Sequence, residues 1–493
     1  MTATSTQKPP RTLGHHLRDL RERLRAYPGL DYLVLRIAIF SLIGIGVLMA
    51  FSSSMATSLS ESDSPWSAAL RQCVLVVAGL IVFWIGLRMS PRTLRALVPW
   101  FLGLSILLLI LVLVPGIGTG RAEVGSQSWI MLPGGVAFQP SEFARVAVGM
   151  YGASALADKT HRSMRLTDPF MMYSIIAGIM FVLIVAQGDL GMGVSFALIV
   201  VFTLVFAGVD WRVPTVVGVF GAIGMITVFL AGGFRSHRFH TYFDALRGNI
   251  EDTQGTGFQA YQGFLSLADG GFWGVGLGQS RAKWFYLPEA KNDFVFAIIG
   301  EELGLWGGAL VIGLFAVLGY FGLRTATRAQ DQFQSLLAAT LAVGVVVQAF
   351  INIGYVIGVL PVTGIQLPMI SAGGTAAVIT IGSMGLLCNV ARHEPLQVSA
   401  MQNFGRPLFD RIFFIPEPTP PNERRGGAHR APRERAQGKH PQRVRREHSQ
   451  RQVERSREER FGRAVTGRPP RAQAPREEQR REYRRERRRG ERR

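Results

Sequence analysis

Apolar residues along this chain gather into runs longer than a soluble core helix needs. Between Leu33 and Val390, stretches of about 18–25 residues with few charges recur, and a run of that length reads as a bilayer-spanning helix. Ten are read, over 33–51, 70–87, 97–114, 141–157, 170–186, 190–208, 213–231, 294–322, 333–357 and 368–391. The fourth is the weakest, because Glu142 and Arg145 lie inside it. Lipid cannot satisfy open N–H and C=O groups, so each run is expected to be helical. The pattern predicts an all-α integral membrane protein of about ten transmembrane helices, with a large loop, 232–293, between the seventh and eighth. In that loop Phe258, Tyr261, Leu265 and Ala268 follow helical spacing, with Gln259, Gln262 and Asp269 off that face, which predicts an amphipathic helix at the membrane surface. The GGFWGVGLG that follows lacks the strand and helix of a dinucleotide-binding turn and reads as tight turns.

Charge then orients the spans. Lys8, Arg11, Arg18, Arg21, Arg23 and Arg25 precede the first, and Arg88, Arg92 and Arg95 follow the second. Lys159, Arg162 and Arg165 follow the fourth, and Arg324 and Arg328 follow the eighth, while the intervening loops carry almost none. Basic residues favour the cytoplasm, so both termini are expected there. The first span is too long for the apolar core of a cleaved signal and is expected to stay as an anchor. Parity puts 232–293 outside although it carries Arg235, Arg238, Arg247, Arg281, Lys283 and Lys291, and a basic outer loop suits an anionic ligand.

Three regions follow: a basic arm, 1–30; a membrane domain, 31–392; and an arginine-rich tail, 393–493. From Met401 onward the chain carries 28 Lys+Arg and 13 Asp+Glu, a net +15 of the whole chain's +20. Such a composition cannot bury a core and is expected to be disordered. It reads as a solvated tail that reinforces topology, or as a contact for anionic lipid or an acidic protein. Aromatics are sparse in its arginine-rich part, which holds Phe461 and Tyr483, and no RNA-binding motif is present, so nucleic acid is not expected. Two cysteines, Cys73 and Cys388, both within spans, exclude a disulfide framework and a Cys/His metal cluster.

Ionisable residues at membrane depth are candidates for function because each is costly unless paired or wetted. Glu142 and Arg145, three apart, share a helix face and can pair, and Asp189 sits in the turn QGDLG. Glu301 and Glu302 are adjacent, so they point roughly 100° apart on a helix. One is expected against a polar or basic partner on another helix and one toward a wet cavity. An ion pair holding helices together and a catalytic role both fit these acids. Asp293 differs, standing at the outer mouth of the eighth span with the bundle on one side and open access on the other. That position suits a general base, a metal ligand or a helix N-cap.

Four blocks resemble the SEDS family (shape, elongation, division and sporulation), FtsW-type more than RodA-type. They are SQSWIMLPG from Ser126, QPSEFARVAV from Gln139, the long block GFQAYQGFLSLADGGFWGVGLGQSRAKWFYLPEAKNDFVFAIIGEELG from Gly257, and NIGYVIGVLPVTGIQLPMISAGGTA from Asn352. The likeness covers about 31–392. The chain departs from the usual family blocks in reading QGDLG, SAGGT and KND. The resemblance implies a peptidoglycan glycosyltransferase that polymerises lipid II at the division septum. In that reaction undecaprenyl pyrophosphate leaves and the α-linkage of the donor inverts to β. It makes Asp293 the catalytic aspartate, as base or metal ligand, with Glu289, Lys283, Arg238, Gln262 and Ser371 as further candidates for the substrate groove. Glu142, Arg145, Glu301, Glu302 and Asp189 are left as structural or cavity charges. It implies a divalent cation, Mg2+ or Mn2+, and no organic cofactor. Its expected partners are a class B penicillin-binding transpeptidase, membrane lipids and other division proteins, with FtsZ as a contact for the basic tail. Two rival readings remain, a lipid II flippase and a scaffold that recruits the transpeptidase. The sharpest charge cluster lies at one face, which favours an enzyme over a transporter, and a scaffold would tolerate loss of Asp293.

Overall fold

In the computed structural model, which describes residues 27–61, 66–120, 125–133, 135–157, 168–230, 242, 258–281, 283 and 291–418, helices form over all ten apolar stretches. They are α1 (Leu30–Glu61), α2 (Ser67–Arg88), α3 (Pro91–Leu111), α4 (Pro140–Leu156), α5 (Pro169–Ala186), α6 (Leu190–Phe206), α7 (Arg212–Leu230), α9 (Val295–Arg328), α10 (Gln332–Val356) and α11 (Thr375–Arg392). Local chemistry sets their starts. Ser90 caps α3 by accepting from Thr93 N at 3.1 Å, with Pro91 in the first turn, and Asp331 caps α10 by accepting from Gln334 N at 2.8 Å. Among the described residues seven helices, α1, α2, α3, α5, α9, α10 and α11, are long and apolar enough to cross a membrane. Helix α6 and the first part of α7 are shorter apolar helices, and α4 carries the two charges noted in its sequence.

Helices α10 and α11 are the most enclosed spans. Helix α10 packs against α4, α6, α9 and α11, and α11 lies along α2. The latter contact is close because it is built from glycine: a Cβ on Gly385 would stand 2.4 Å from the Phe83 carbonyl oxygen. Asn389 of α11 donates to the carbonyls of Gly86, Leu87 and Met89, at 2.7–3.1 Å, and so satisfies the open end of α2. Outward stripes are apolar. Leu70, Val74, Val77, Ile81 and Ile85 recur every three or four residues on α2 and are exposed, as a lipid-facing surface requires.

Four expectations are corrected. The stretch after the first span, read as a loop, is helical as far as Glu61. The fold is not purely α: Gly118–Thr119 (β1), Trp129–Leu132 (β2) and Val136–Phe138 (β3) form an antiparallel sheet, with Thr119 opposite Trp129 and Met131 opposite Ala137. That run alternates around Trp129 and is flanked by Gly120, Gly125 and Gly135 at positive φ, which lets the chain turn back on itself. The predicted amphipathic helix is present as α8 (Phe258–Gly270), but its buried face is Gly263, Ser266 and Gly270, while Leu265 and Ala268 face outward. Small residues let it lie directly on α9.

The fourth correction concerns the tail. Residues 393–418 fold, forming α12 (Pro395–Phe404) and α13 (Leu408–Ile412). Buried Asp410 pairs with Arg392 Nε at 2.6 Å and accepts from the Tyr32 hydroxyl at 2.7 Å. Trp84 donates to the Phe413 carbonyl at 2.9 Å, Arg392 Nη2 to that of Pro416, and Ile415 is fully buried. A few anchors thus strap a polar segment across the ends of α1, α2 and α11. Residues 1–26 and 419–493 lie outside the described residues. Beside the strap, Asp31 meets Arg324 at 3.1 Å and Arg328 at 3.6 Å, joining the start of α1 to the end of α9.

Glu394 is buried next to Asp31. Burial, and then the negative charge of Asp31, push its carboxyl from the ordinary 4.5 up to about 8, against the opposing pull of Thr325 and Arg328. The folded protein therefore holds a proton there that the unfolded chain has lost between about pH 4.5 and 8. Stability from this contact is complete below that window and falls as pH rises through it. Thermal midpoints of the detergent-solubilised protein should decline across this range, and Glu394→Gln should flatten the decline.

Candidate active site

The eighth apolar stretch is not one helix. Gly304 adopts φ 66° and ψ −163°, which splits α9 into a buried segment, Val295–Leu303, and a long span from Leu305 to Arg328. Only glycine takes that backbone without strain, and space forbids anything larger: a Cβ there would stand 2.4 Å from Gly274 N. The turns after α8 make this contact. Val275 N and Gly276 N donate to the carbonyls of Glu301 and Glu302 at 2.9 and 3.0 Å, and Leu305 N donates to that of Gly271 at 3.0 Å. GGFWGVGLG is thus a series of tight turns, with Gly271, Gly274, Gly276 and Gly278 all at positive φ.

Glu301 and Glu302 close this junction. Each is about 1% exposed, and neither faces a wet cavity as expected from the sequence. Glu301 accepts from Ser280 Oγ at 2.7 Å and Arg281 N at 2.6 Å. Glu302 accepts from Ser52 Oγ of α1 at 2.6 Å and pairs with Lys283 Nζ at 3.4 Å. The two carboxylates point apart yet serve one loop, because that loop wraps around both. Lys283 is buried and is also held by the Gly278 carbonyl, so its ammonium is spent inside the protein rather than offered to an outside ligand.

Asp293 lies at the other end of the buried segment, half-buried in the turn that precedes it. The N-cap position of the helix is Phe294, one residue after it. Backbone ties fix Asp293. Asn352 Nδ2 donates to the carbonyls of Asp293 at 2.8 Å and Ile365 at 2.6 Å, and the Tyr355 hydroxyl lies 2.8 and 2.7 Å from the same two oxygens. Ser371 Oγ donates to the Asn292 carbonyl at 2.6 Å while accepting from Leu367 N at 2.8 Å, and Ala372 N donates to the Lys291 carbonyl at 3.1 Å. Three successive carbonyls, of Lys291, Asn292 and Asp293, are thus clamped by α10 and by the loop between α10 and α11. Within that loop Met369 holds φ 64°, a strained conformation for a side-chain-bearing residue, kept by the hydrogen bonds around it. The shielded oxygens Asn352 Oδ1 and Gln366 Oε1 receive no hydrogen bond among the described residues, which leaves two acceptors close to the clamp.

A second polar cluster sits lower on α10. Glu142 pairs with Arg145 at 2.7 Å, as their spacing predicts, and also accepts from Gln348 Nε2 at 3.0 Å; Arg145 reaches Ser195 at 3.4 Å. Asp189 caps α6 through Met192 N at 3.1 Å and accepts from Gln139 at 2.7 Å. Gln348, Asn352 and Tyr355 are spaced four and three apart, hence on one face of α10, and connect this cluster to Asp293. Sequence reasoning missed these three. The available signal was their periodic polarity within an otherwise apolar run. Gln262 is half-buried on α8, next to Gly263, which faces the Phe294 ring. Ser371 is turned inward as part of the clamp, and Glu289 and Arg238 lie outside the described residues.

Comparison with known proteins places this geometry. The model of a cell cycle protein family, FtsW/RodA/SpoVE, matches residues 33–396. A protein of Mycobacterium tuberculosis named probable peptidoglycan glycosyltransferase FtsW is 40% identical over 378 residues, covering 76% of this chain and 70% of that one. Stage V sporulation protein E of Bacillus subtilis is 35% identical over 362 residues, 73% and 97% of the two chains. Two solved structures share the fold. One, described as structural coordination of polymerization and crosslinking by a peptidoglycan synthase complex, has a TM-score of 0.57 at 23% identity and covers 73% of this chain and 97% of that one. The other, RodA of Thermus thermophilus, has a TM-score of 0.53 at 22% identity, with 73% and 96% covered.

Removing one partner of a buried ion pair leaves the other charge uncompensated. Glu142→Ala should therefore cost about 3–5 kcal/mol of stability, and Glu142→Met with Arg145→Met should recover most of it. Thermal unfolding of the three proteins in detergent checks this.

Proposed function

The chain belongs to the FtsW/RodA/SpoVE family of multi-pass membrane proteins, and from that premise we propose that it is a peptidoglycan glycosyltransferase, polymerising lipid II into glycan strands during division. The observation that carries the reading is the 40% identity to relatives named for that activity, which runs over 76% of this chain.

Asp293 is the catalytic residue in this reading. The acceptor sugar hydroxyl attacks the anomeric carbon of the donor, the bond from that carbon to the undecaprenyl pyrophosphate oxygen breaks, and the hydroxyl proton passes to the Asp293 carboxylate. Attack opposite the leaving group inverts the linkage. The half-buried position and the clamped backbone support the assignment, because a base has to be held near its working geometry when the substrate arrives. Among the described residues no three His, Cys, Asp or Glu side chains form a metal cage. A single carboxylate suits Mg2+ or Mn2+, which take one or two protein oxygens together with substrate phosphates. In the alternative role, metal ligand in place of base, Asp293 would hold such an ion, which would neutralise the departing pyrophosphate. Glu289 and Arg238 remain candidates for the same groove.

Ten spans, with both termini in the cytoplasm, complete the reading. Arg88, Arg92, Arg95, Arg324, Arg328 and Arg392 then share the cytoplasmic face. On that orientation helix α10, which starts at Gln332 close in sequence to Arg328 and ends at the clamp, carries Asp293 toward the outer surface. The partner is a class B penicillin-binding transpeptidase at the septum, and the tail from 419, basic in sequence, is a contact for division proteins such as FtsZ.

The test is polymerisation of lipid II by the chain purified with its transpeptidase, in a divalent salt. Wild type should give polymer on a gel and Asp293→Asn none, with the complex intact and thermal stability unchanged. Equal polymer from both would remove Asp293 from catalysis. No polymer from either would favour transport or scaffolding.

A further inference from the structure

A groove of about 660 Å³ opens between the first turns of α1 and the strap. Leu33, Ile37 and Phe40 form one wall, and Leu408 and Phe409 the other, with Arg36 between them. It is remote from Asp293. The groove lies where Asp31 meets Arg324 and Arg328, whereas Asp293 is clamped near the opposite end of α10, a helix roughly 35 Å long. The volume is that of a ligand pocket. Leu33, Ile37 and Leu408 are 44%, 55% and 74% exposed, so the groove opens outward from a helix long and apolar enough to span the bilayer.

Arg36 is the residue without an evident purpose. Its guanidinium lies 4.0 Å from the centroid of the Tyr32 ring and 4.4 Å from that of Phe409, and its Nε donates to the Tyr32 carbonyl at 3.2 Å. Among the described residues no carboxylate pairs with it and neither terminal amino group makes a hydrogen bond. The nearby Asp410 is engaged by Arg392 and Tyr32. A cation at this depth, stacked in place with its donor fork unspent, is costly unless an anion arrives from outside. The strap's own Arg406 and Arg411 are balanced by Glu394, Asp410 and Glu417, so Arg36 is the cation that the groove itself offers.

We propose that this groove binds one anionic phospholipid of the leaflet on the side where α1 begins, with an acyl chain along Leu33, Ile37, Phe40 and Leu408 and the phosphate on Arg36. Bound there, the lipid bridges α1 to the strap. A guanidinium and a phosphate match in charge and in planar, bidentate geometry. The Arg36 guanidinium, its terminal amino groups unspent and no carboxylate paired with it among the described residues, favours an anionic headgroup over a zwitterionic one.

Native mass spectrometry of the full chain, released from micelles doped with phosphatidylglycerol or phosphatidylcholine, tests this. Wild type should retain phosphatidylglycerol about tenfold better, because both lipids offer a phosphate but the choline ammonium of phosphatidylcholine opposes the Arg36 cation and cancels the headgroup's net charge. Arg36→Gln should bring it down to the phosphatidylcholine level. Ile37→Trp, which fills the groove from an outward-facing position and leaves the core untouched, should lose both lipids. Equal retention of the two lipids by wild type, or unchanged phosphatidylglycerol binding in either variant, would overturn the proposal.

Discussion

Backbone that leaves helical geometry inside a bilayer must find its hydrogen bonds in protein, and the half of this molecule around Asp293 is organised around that constraint. Three irregular stretches meet there: the turns after α8, the turn that carries Asp293, and the loop between α10 and α11. Glu301 and Glu302 supply acceptors for the first, while Asn352, Tyr355 and Ser371 supply donors for the second and third. Glycine at 270, 274 and 304 lets the backbones approach closely enough for the bonds to form.

The same constraint separates the roles of the buried acids. Glu142, Glu301 and Glu302 are each about 1% exposed and fully partnered, so their charges hold elements together. Asp293 is placed on a rim, with its main chain fixed and its side chain only half-buried. The bonds at its carbonyl hold the main chain of this turn in place. Helix α10 links the two regions, because Gln348 reaches Glu142 and, one turn on, Asn352 reaches the Asp293 carbonyl.

At the far end the strap shows how few contacts order a polar segment. Asp410 receives Arg392 and Tyr32, and Ile415 fills the space beneath. Composition alone assigned 393–418 to a disordered tail, since averaging over a long arginine-rich stretch hides a short run with two or three well-placed anchors.

The sequence by itself determined what short windows encode. Apolar length marked the ten long helices, the spacing of Glu142 and Arg145 determined their pairing, the glycine-rich turns were legible as turns, and the block around Asp293 pointed to the family and to one carboxylate. What packing alone decided lies between residues distant along the chain. Asn352 to Asp293 spans 59 positions, Gln348 to Glu142 spans 206, Ser52 to Glu302 spans 250 and Tyr32 to Asp410 spans 378. The break at Gly304, the inward turn of Lys283 and Ser371, and the polar stripe of α10 all follow from such contacts. Periodicity and charge act within a few turns of helix, whereas the partner of a buried polar group is set by which helices become neighbours.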